Sequence, residues 1–172
     1  MIRVLVVSIQ SNGGGAETVL KNLQTALAVT ATPIALESVS KHAFDAGAKG
    51  GKLSSYLRFI RHVRALARHA DFVVSGLEGI PYFLCMTATW GLRSRLVLWL
   101  HCSPISYVRF QTAKSRLAIL GSIRFARRIL CAAPLEAARL AKAGKRTLYL
   151  PNLRRATGGA AVAVERVLPI LV

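Results

Sequence analysis

Short β-branched apolar runs alternate along this chain with longer segments in which apolar residues return every three or four positions. The first pattern is that of a strand buried on both faces, and the second that of a helix with one buried side. Residues 2–8 (IRVLVVS) read as a strand, and residues 17–28 as a helix through Val19, Leu20, Leu23, Ala26 and Leu27. Residues 32–39 form a second strand, and residues 41–51, with glycines and mixed polar positions, a loop. Residues 52–69 carry the strongest helical repeat, with Leu53, Tyr56, Leu57, Ile60, Val63 and Ala67 as the expected buried stripe. Residues 71–75 form a third strand, and Pro81 is a first-turn proline for a helix through Trp90. Residues 95–100 are a strand, 111–128 a helix, 129–133 a strand, 135–143 a helix stopped by Gly144, and 147–150 a strand.

Strands alternating with helices predict an α/β fold, a doubly wound Rossmann-like parallel sheet. Ligands of such sheets sit beyond the carboxyl ends of the strands. Residues 13–15, 75–78, His101 and Asn152 all fall at those ends. The tail reads differently. Residues 154–163 are rich in glycine and alanine, as in a linker, and residues 166–172 resemble a strand with nothing after it.

Composition narrows the function. At 172 residues the chain fits one domain with a sizeable core, and 53% hydrophobic with 18% charged residues excludes a disordered polymer. The charge is lopsided, 24 Lys+Arg against 7 Asp+Glu, which favours anionic partners: phosphates, nucleic acid or an acidic membrane face. Nucleic acid would also need exposed stacking aromatics, and at 7% aromatic most rings fall inside predicted strands and helices. Cys85, Cys102 and Cys131 form no C-x-x-C pair and suit a reducing compartment. His42, His62, His69 and His101 make no ligand pattern with them, so no metal is expected. The uncharged stretches, residues 22–36 and 79–92 among them, are all shorter than the roughly 20 residues of a membrane span.

The most distinctive stretch is Ser11-Asn12-Gly13-Gly14-Gly15-Ala16-Glu17-Thr18, between the first strand and its helix. Glycines there permit close backbone approach, and a helix start offers unpaired N–H groups to an anion. The same run also suits a tight turn that binds nothing, with Glu17 as a helix-start charge. A dinucleotide fingerprint is incomplete: Gly13 and Gly15 match, Thr18 replaces the third glycine, and Glu37 at the end of the second strand would hold the ribose. No Gly-Lys-Ser/Thr closes a phosphate loop of the nucleotide-triphosphatase kind.

Residues 12–23 (NGGGAETVLKNL) resemble the start of family-4-like glycosyltransferases of the GT-B fold. Residues 96–101 (LVLWLH) resemble their strand ending in histidine. Residues 129–144 followed by TLYLPN at 147–152 resemble their strand–helix–strand closing on asparagine. The resemblance implies the N-terminal, acceptor-side half of a retaining enzyme. It moves a hexose-type sugar from a nucleotide-sugar donor, with no cofactor, to a saccharide or lipid-linked acceptor in cell-envelope polysaccharide synthesis. It further implies that Gly13, Gly14, Gly15, Glu17 and Asn152 bind the donor phosphates or the acceptor. His101 would be catalytic, hydrogen-bonding the transferred sugar or aiding the departing phosphate; a strand-end histidine that merely satisfies the backbone is the alternative.

Two departures stand out. Ala132-Ala133 replace the serine many relatives carry, and the family's second domain, with its E-x7-E glutamates, does not follow. The expected organisation is residues 1–153 as the acceptor-side domain, 154–165 as linker, and 166–172 as the start of a missing nucleotide-sugar-binding domain. A chain so truncated is expected to be inactive alone, or a remnant, unless a separate chain supplies that domain. Arg58, Arg61, Arg64 and Arg68, beside Tyr56, Phe59 and Ile60, suit either a solvated face or a basic helix lying on anionic lipid. The expected location is the cytoplasm, peripheral at the inner face of the membrane. A Rossmann dinucleotide-binding module and a non-enzymatic basic membrane- or nucleic-acid-binding domain are the rival readings.

Overall fold

The computed structural model describes residues 1–9, 18–19, 34–46, 51–101, 103 and 107–150. Six strands form one parallel sheet: β1 (Ile2–Ser8), β2 (Ile34–Ser40), β3 (Phe72–Ser75), β4 (Leu96–Leu100), β5 (Arg128–Cys131) and β6 (Arg146–Tyr149). Their order is β2-β1-β3-β4-β5-β6. Successive strands step outward from β1 in opposite directions, so the sheet has its topological switch point between β1 and β3, where Val7 pairs with Ser75. All six expected strands are present, displaced at their ends by one or two residues.

Among the described residues, helices with both ends placed accompany them: α1 (Lys41–Asp45), α2 (Lys52–Ala67), α3 (Ile80–Ala88), α4 (Ala113–Phe125) and α5 (Pro134–Lys142). Their apolar sides pack with Leu5, Val7, Val73, Leu96, Leu98, Leu100, Ile129 and Cys131 on one face of the sheet. The opposite face gathers Val6, Phe72, Val74, Val97, Trp99, Leu130 and Leu150 around Val19, which with Thr18 is helical. The sheet is thus covered from both sides, and β3 and β4 are buried at every position. Burial of side chains such as Trp99, Phe59 and Leu98 contributes about 1.5–3 kcal/mol each.

Three expectations are corrected. The loop expected at 41–51 opens with helix α1, because the Ser40 hydroxyl accepts from Ala43 N–H and caps it. Lys41, buried in that helix, is paired with Asp45, donates to Ser55 Oγ at 2.8 Å and lies over the Tyr56 ring. The stripe of α2 is also rotated from the one expected. Ser55, Phe59, Val63 and Ala67 are buried, while Leu53 and Leu57 are 75% and 49% exposed. Phe59 takes the inward position, packed in one cluster with Leu5 and Val7 of β1, and its ring meets Phe44 of α1 edge-on at 5.6 Å. Finally, the basic helix expected at 111–128 stops at Phe125, so Arg127 lies in a connection and Arg128 opens β5. The linker at 154–165 and the strand at 166–172 lie outside the described residues.

Candidate active site at the carboxyl ends of the strands

At the switch point the connection after β3 is tied across β1. Gly76 N–H donates to Val7 O at 2.9 Å, and Ser75 Oγ donates to Leu77 O at 2.7 Å. A side chain at position 76 would crowd the Val7 carbonyl, with 3.3 Å from an added Cβ to the oxygen. Gly79 turns the chain into α3 with φ of 78°, a conformation that favours glycine. Its N–H donates to the buried Ser122 hydroxyl of α4 at 3.0 Å, and that hydroxyl donates onward to Ile119 O at 2.7 Å. The turn carrying Glu78 is thereby fixed to a strand on one side and a helix on the other. Glu78 is half-buried, with its Oε2 out of solvent contact.

His101 follows directly on β4 and is half-buried, its Nε2 out of solvent contact. Its ring packs on Trp99 with centroids 4.4 Å apart and a tilt of 33°. Side chains two apart in a strand share a face, so His101 stands with Trp99 on the side of the sheet that Val19 covers. Val19 lies four residues after Gly15 in the sequence. The helix that follows the glycine run and the expected catalytic histidine therefore lie on the same face.

One contact at this rim has no local signature in the chain. Ser103, after β4, donates to Glu136 Oε1 at 2.8 Å, in the first turn of α5. Glu136 is only 5% exposed, and Arg139 reaches the same oxygen at 3.4 Å. A carboxylate suits the positive end of a helix, and here it also couples the ends of β4 and β5. The signal available was the Pro134-Leu135-Glu136 helix start, which reads as punctuation until a tertiary partner is known.

Gly13, Gly14, Gly15, Glu17 and Asn152 lie outside the described residues. Of the four basic positions on α2, Arg58, Arg61 and Arg68 are exposed. Arg64 is turned inward, donating to Ala88 O and Trp90 O, both at 3.1 Å, where it caps the end of α3. Glu37 is not at the end of its strand. It lies opposite Leu5, three residues short of Ser40, beside a cavity lined also by Arg3, Leu66 and His69 at the other edge of the sheet. A ribose carboxylate belongs at the carboxyl end, so the dinucleotide fingerprint loses its second half. Among the described residues no group of three His, Cys, Asp or Glu is placed to hold a metal, and no helix is long and apolar enough to cross a membrane.

No protein-family model matches the chain, and no curated protein sequence does. Among solved structures, the UDP-GlcNAc 2-epimerase of Methanocaldococcus jannaschii aligns over 99% of this chain with a TM-score of 0.58 and 10% identity. The chain spans about half of that protein, 49% of its length. An azoreductase from Bacillus anthracis str. Sterne aligns over 99% of the chain and 97% of its own length, with a TM-score of 0.40 and 9% identity. The fold is Rossmann-like, an α/β domain with a six-stranded parallel sheet and a GT-B-like structural neighbour. Identity at this level speaks for the fold and leaves the chemistry to the site.

Proposed function

We propose that the chain is the acceptor-side half of a retaining glycosyltransferase that carries a hexose-type sugar from a nucleotide-sugar donor to a saccharide or lipid-linked acceptor of the cell envelope. The observation that carries this reading is the shared face of His101 and Val19, which sets the strand-end histidine on the side of the helix that follows the glycine run. Breaking the bond between a sugar's anomeric carbon and a diphosphate oxygen builds negative charge on the departing phosphate. Backbone N–H groups and an imidazole aimed at that oxygen stabilise the charge as it forms. The fixed turn at Ser75–Gly79 and the Ser103–Glu136 pair would stiffen the two flanks of such a site. The neighbour in fold is named for a nucleotide sugar, which is consistent with such a donor. A facing lobe would supply most of the grip on the nucleotide. Its setting would be the inner membrane face.

Chemical-shift mapping on the isotopically labelled chain tests the proposal. Titration with a UDP-hexose and with a saccharide acceptor is expected to move resonances of Gly13–Gly15, Ser75–Gly79 and His101, and His101→Ala is expected to weaken the response. Shifts confined to other surfaces would defeat the reading. So would tight binding of a nicotinamide dinucleotide that Glu37→Ala abolishes.

A further inference from the structure

The largest cavity described lies at the opposite edge of the sheet, among the amino ends of β4, β5 and β6. It has a volume of about 560 Å³ and is lined by Arg124, Arg127, Arg128, Lys145 and Arg146, with Ser94 and Phe125. Five cationic side chains line it and no carboxylate does. Helices of a parallel sheet run against the strands, so the ends of α4 and α5 deliver their last residues to this edge. Gly144, with φ of 78°, terminates α5, and Lys145 N–H closes back on Leu140 O at 3.0 Å, which delivers Lys145 and Arg146 beside the 124–128 segment.

Basic residues at helix ends ordinarily serve the carbonyls left open there. Lys145 does so, donating to Arg124 O at 2.6 Å and Ala126 O at 3.0 Å. Arg124, Arg127 and Arg146 do not: among the described residues their guanidinium groups make no hydrogen bond or ion pair. The two ion pairs described are elsewhere, Lys41–Asp45 and Glu136–Arg139. Helix capping therefore accounts for Lys145, Arg128 lies over the Phe72 ring at 5.7 Å, and Arg124, Arg127 and Arg146 share a concave wall at the cost of mutual repulsion. Guanidinium forks match phosphate oxygens in geometry, and a space of this size is that of a small-molecule pocket.

We propose that this cavity is a binding site for a phosphate-bearing ligand with two or more negative charges, held by Arg124, Arg127 and Arg146, with Phe125 as an apolar flank. The site lies at the opposite edge from His101 and stands or falls independently of the glycosyltransferase reading. The phosphate could be carried by a free polyphosphate or by a lipid headgroup.

The test is calorimetric titration of the full chain with inorganic tripolyphosphate at low and at physiological salt. Saturable binding is expected, weakened about tenfold or more in R127Q/R146Q, since each removes a charged hydrogen bond. In R58Q/R61Q, which removes equal charge from the exposed face of α2, the affinity is expected to change less than about twofold. Thermal melts of both variants are expected to match the unmodified chain. In a second arm, phosphatidylcholine vesicles carry either phosphatidic acid or phosphatidylserine at matched charge. A preference for phosphatidic acid that R127Q/R146Q removes identifies a lipid source; tripolyphosphate binding without vesicle binding identifies a free one. Equal weakening in both variants, no saturable binding, or a preference for single-stranded DNA lost equally in both would overturn the proposal.

Discussion

The two edges of this sheet are built from different materials. At the carboxyl edge, small polar groups are already engaged: Ser75 on the Leu77 carbonyl, Ser122 between the Gly79 N–H and the Ile119 carbonyl, Ser103 on the Glu136 carboxylate. The buried carboxylate there, Glu136, is paired with Ser103 and Arg139, and the cations at the start of α4, Arg109, Lys114 and Arg116, stand on its exposed side. At the amino edge, arginines and lysines gather where the helices end, some as caps (Arg64, Lys145, and Arg95 on Ala70 O) and some with no such duty. A rigid, spent edge suits precise positioning, whereas an edge with uncommitted cations suits electrostatic capture. The contrast separates charge that holds the fold from charge left for a partner.

Substitutions can break or sharpen the contrast. The largest effect is expected from Trp99→Ala, which empties the sheet's core just below His101; its side chain is 1% exposed, and chemical denaturation should show a loss of about 3–5 kcal/mol. Ser122→Ala leaves the Gly79 N–H buried without its acceptor, and a loss of about 1–3 kcal/mol is expected in the same measurement. At the amino edge, Lys145→Gln, which removes a cap from α4, should cost about 1 kcal/mol, whereas Arg127→Gln should stay within about 0.5 kcal/mol of the parent. Equal losses from those two would erase the distinction between structural and uncommitted charge.

Smaller effects follow from titration. Hydrogen bonds from Lys41 and then Ser55 hold the Asp45 carboxyl below its ordinary value. A lowered carboxylate contributes stability above its unfolded pKa and loses it as pH falls through the folded value. The link between α1 and α2 should therefore loosen only in acid below the usual carboxylate range, as proton exchange of α1 amides would report. Burial pushes the Cys85 thiol up to about 12, so thiol-labelling at neutral pH should leave it unmodified until the chain unfolds. Rapid labelling of Cys85 in the native state would contradict the packing of α3 against the sheet.

Much of the fold was legible because both faces of a central parallel strand are buried. Leu96–Leu100 and Phe72–Ser75 are accordingly unbroken apolar runs that few other structures would explain. The position of His101 at a strand end came with them. The buried side of α2 was not legible, since Leu53, Leu57 and Phe59 are all apolar and only tertiary packing, on the sheet face and on Phe44, chooses among them. Nor was the inward turn of Arg64, whose partners Ala88 and Trp90 lie on another helix. Ser103 and Glu136 are separated by thirty-three positions, and nothing local joins them.

The amino-acid sequence alone thus determined the alternation of strands and helices, the class of sheet and, to within two residues, where each strand ends, all consequences of local periodicity and punctuation. Only the tertiary structure decided which charges share an edge. Helices packed against their strands carry Arg124–Arg128 and Lys145–Arg146 to one rim, while a two-residue alternation puts His101 on the face of Val19. The reason is physical: periodicity is fixed by neighbours in the chain, whereas the meeting of distant cations, and whether a carbonyl neutralises them, depends on the direction in which each packed element ends.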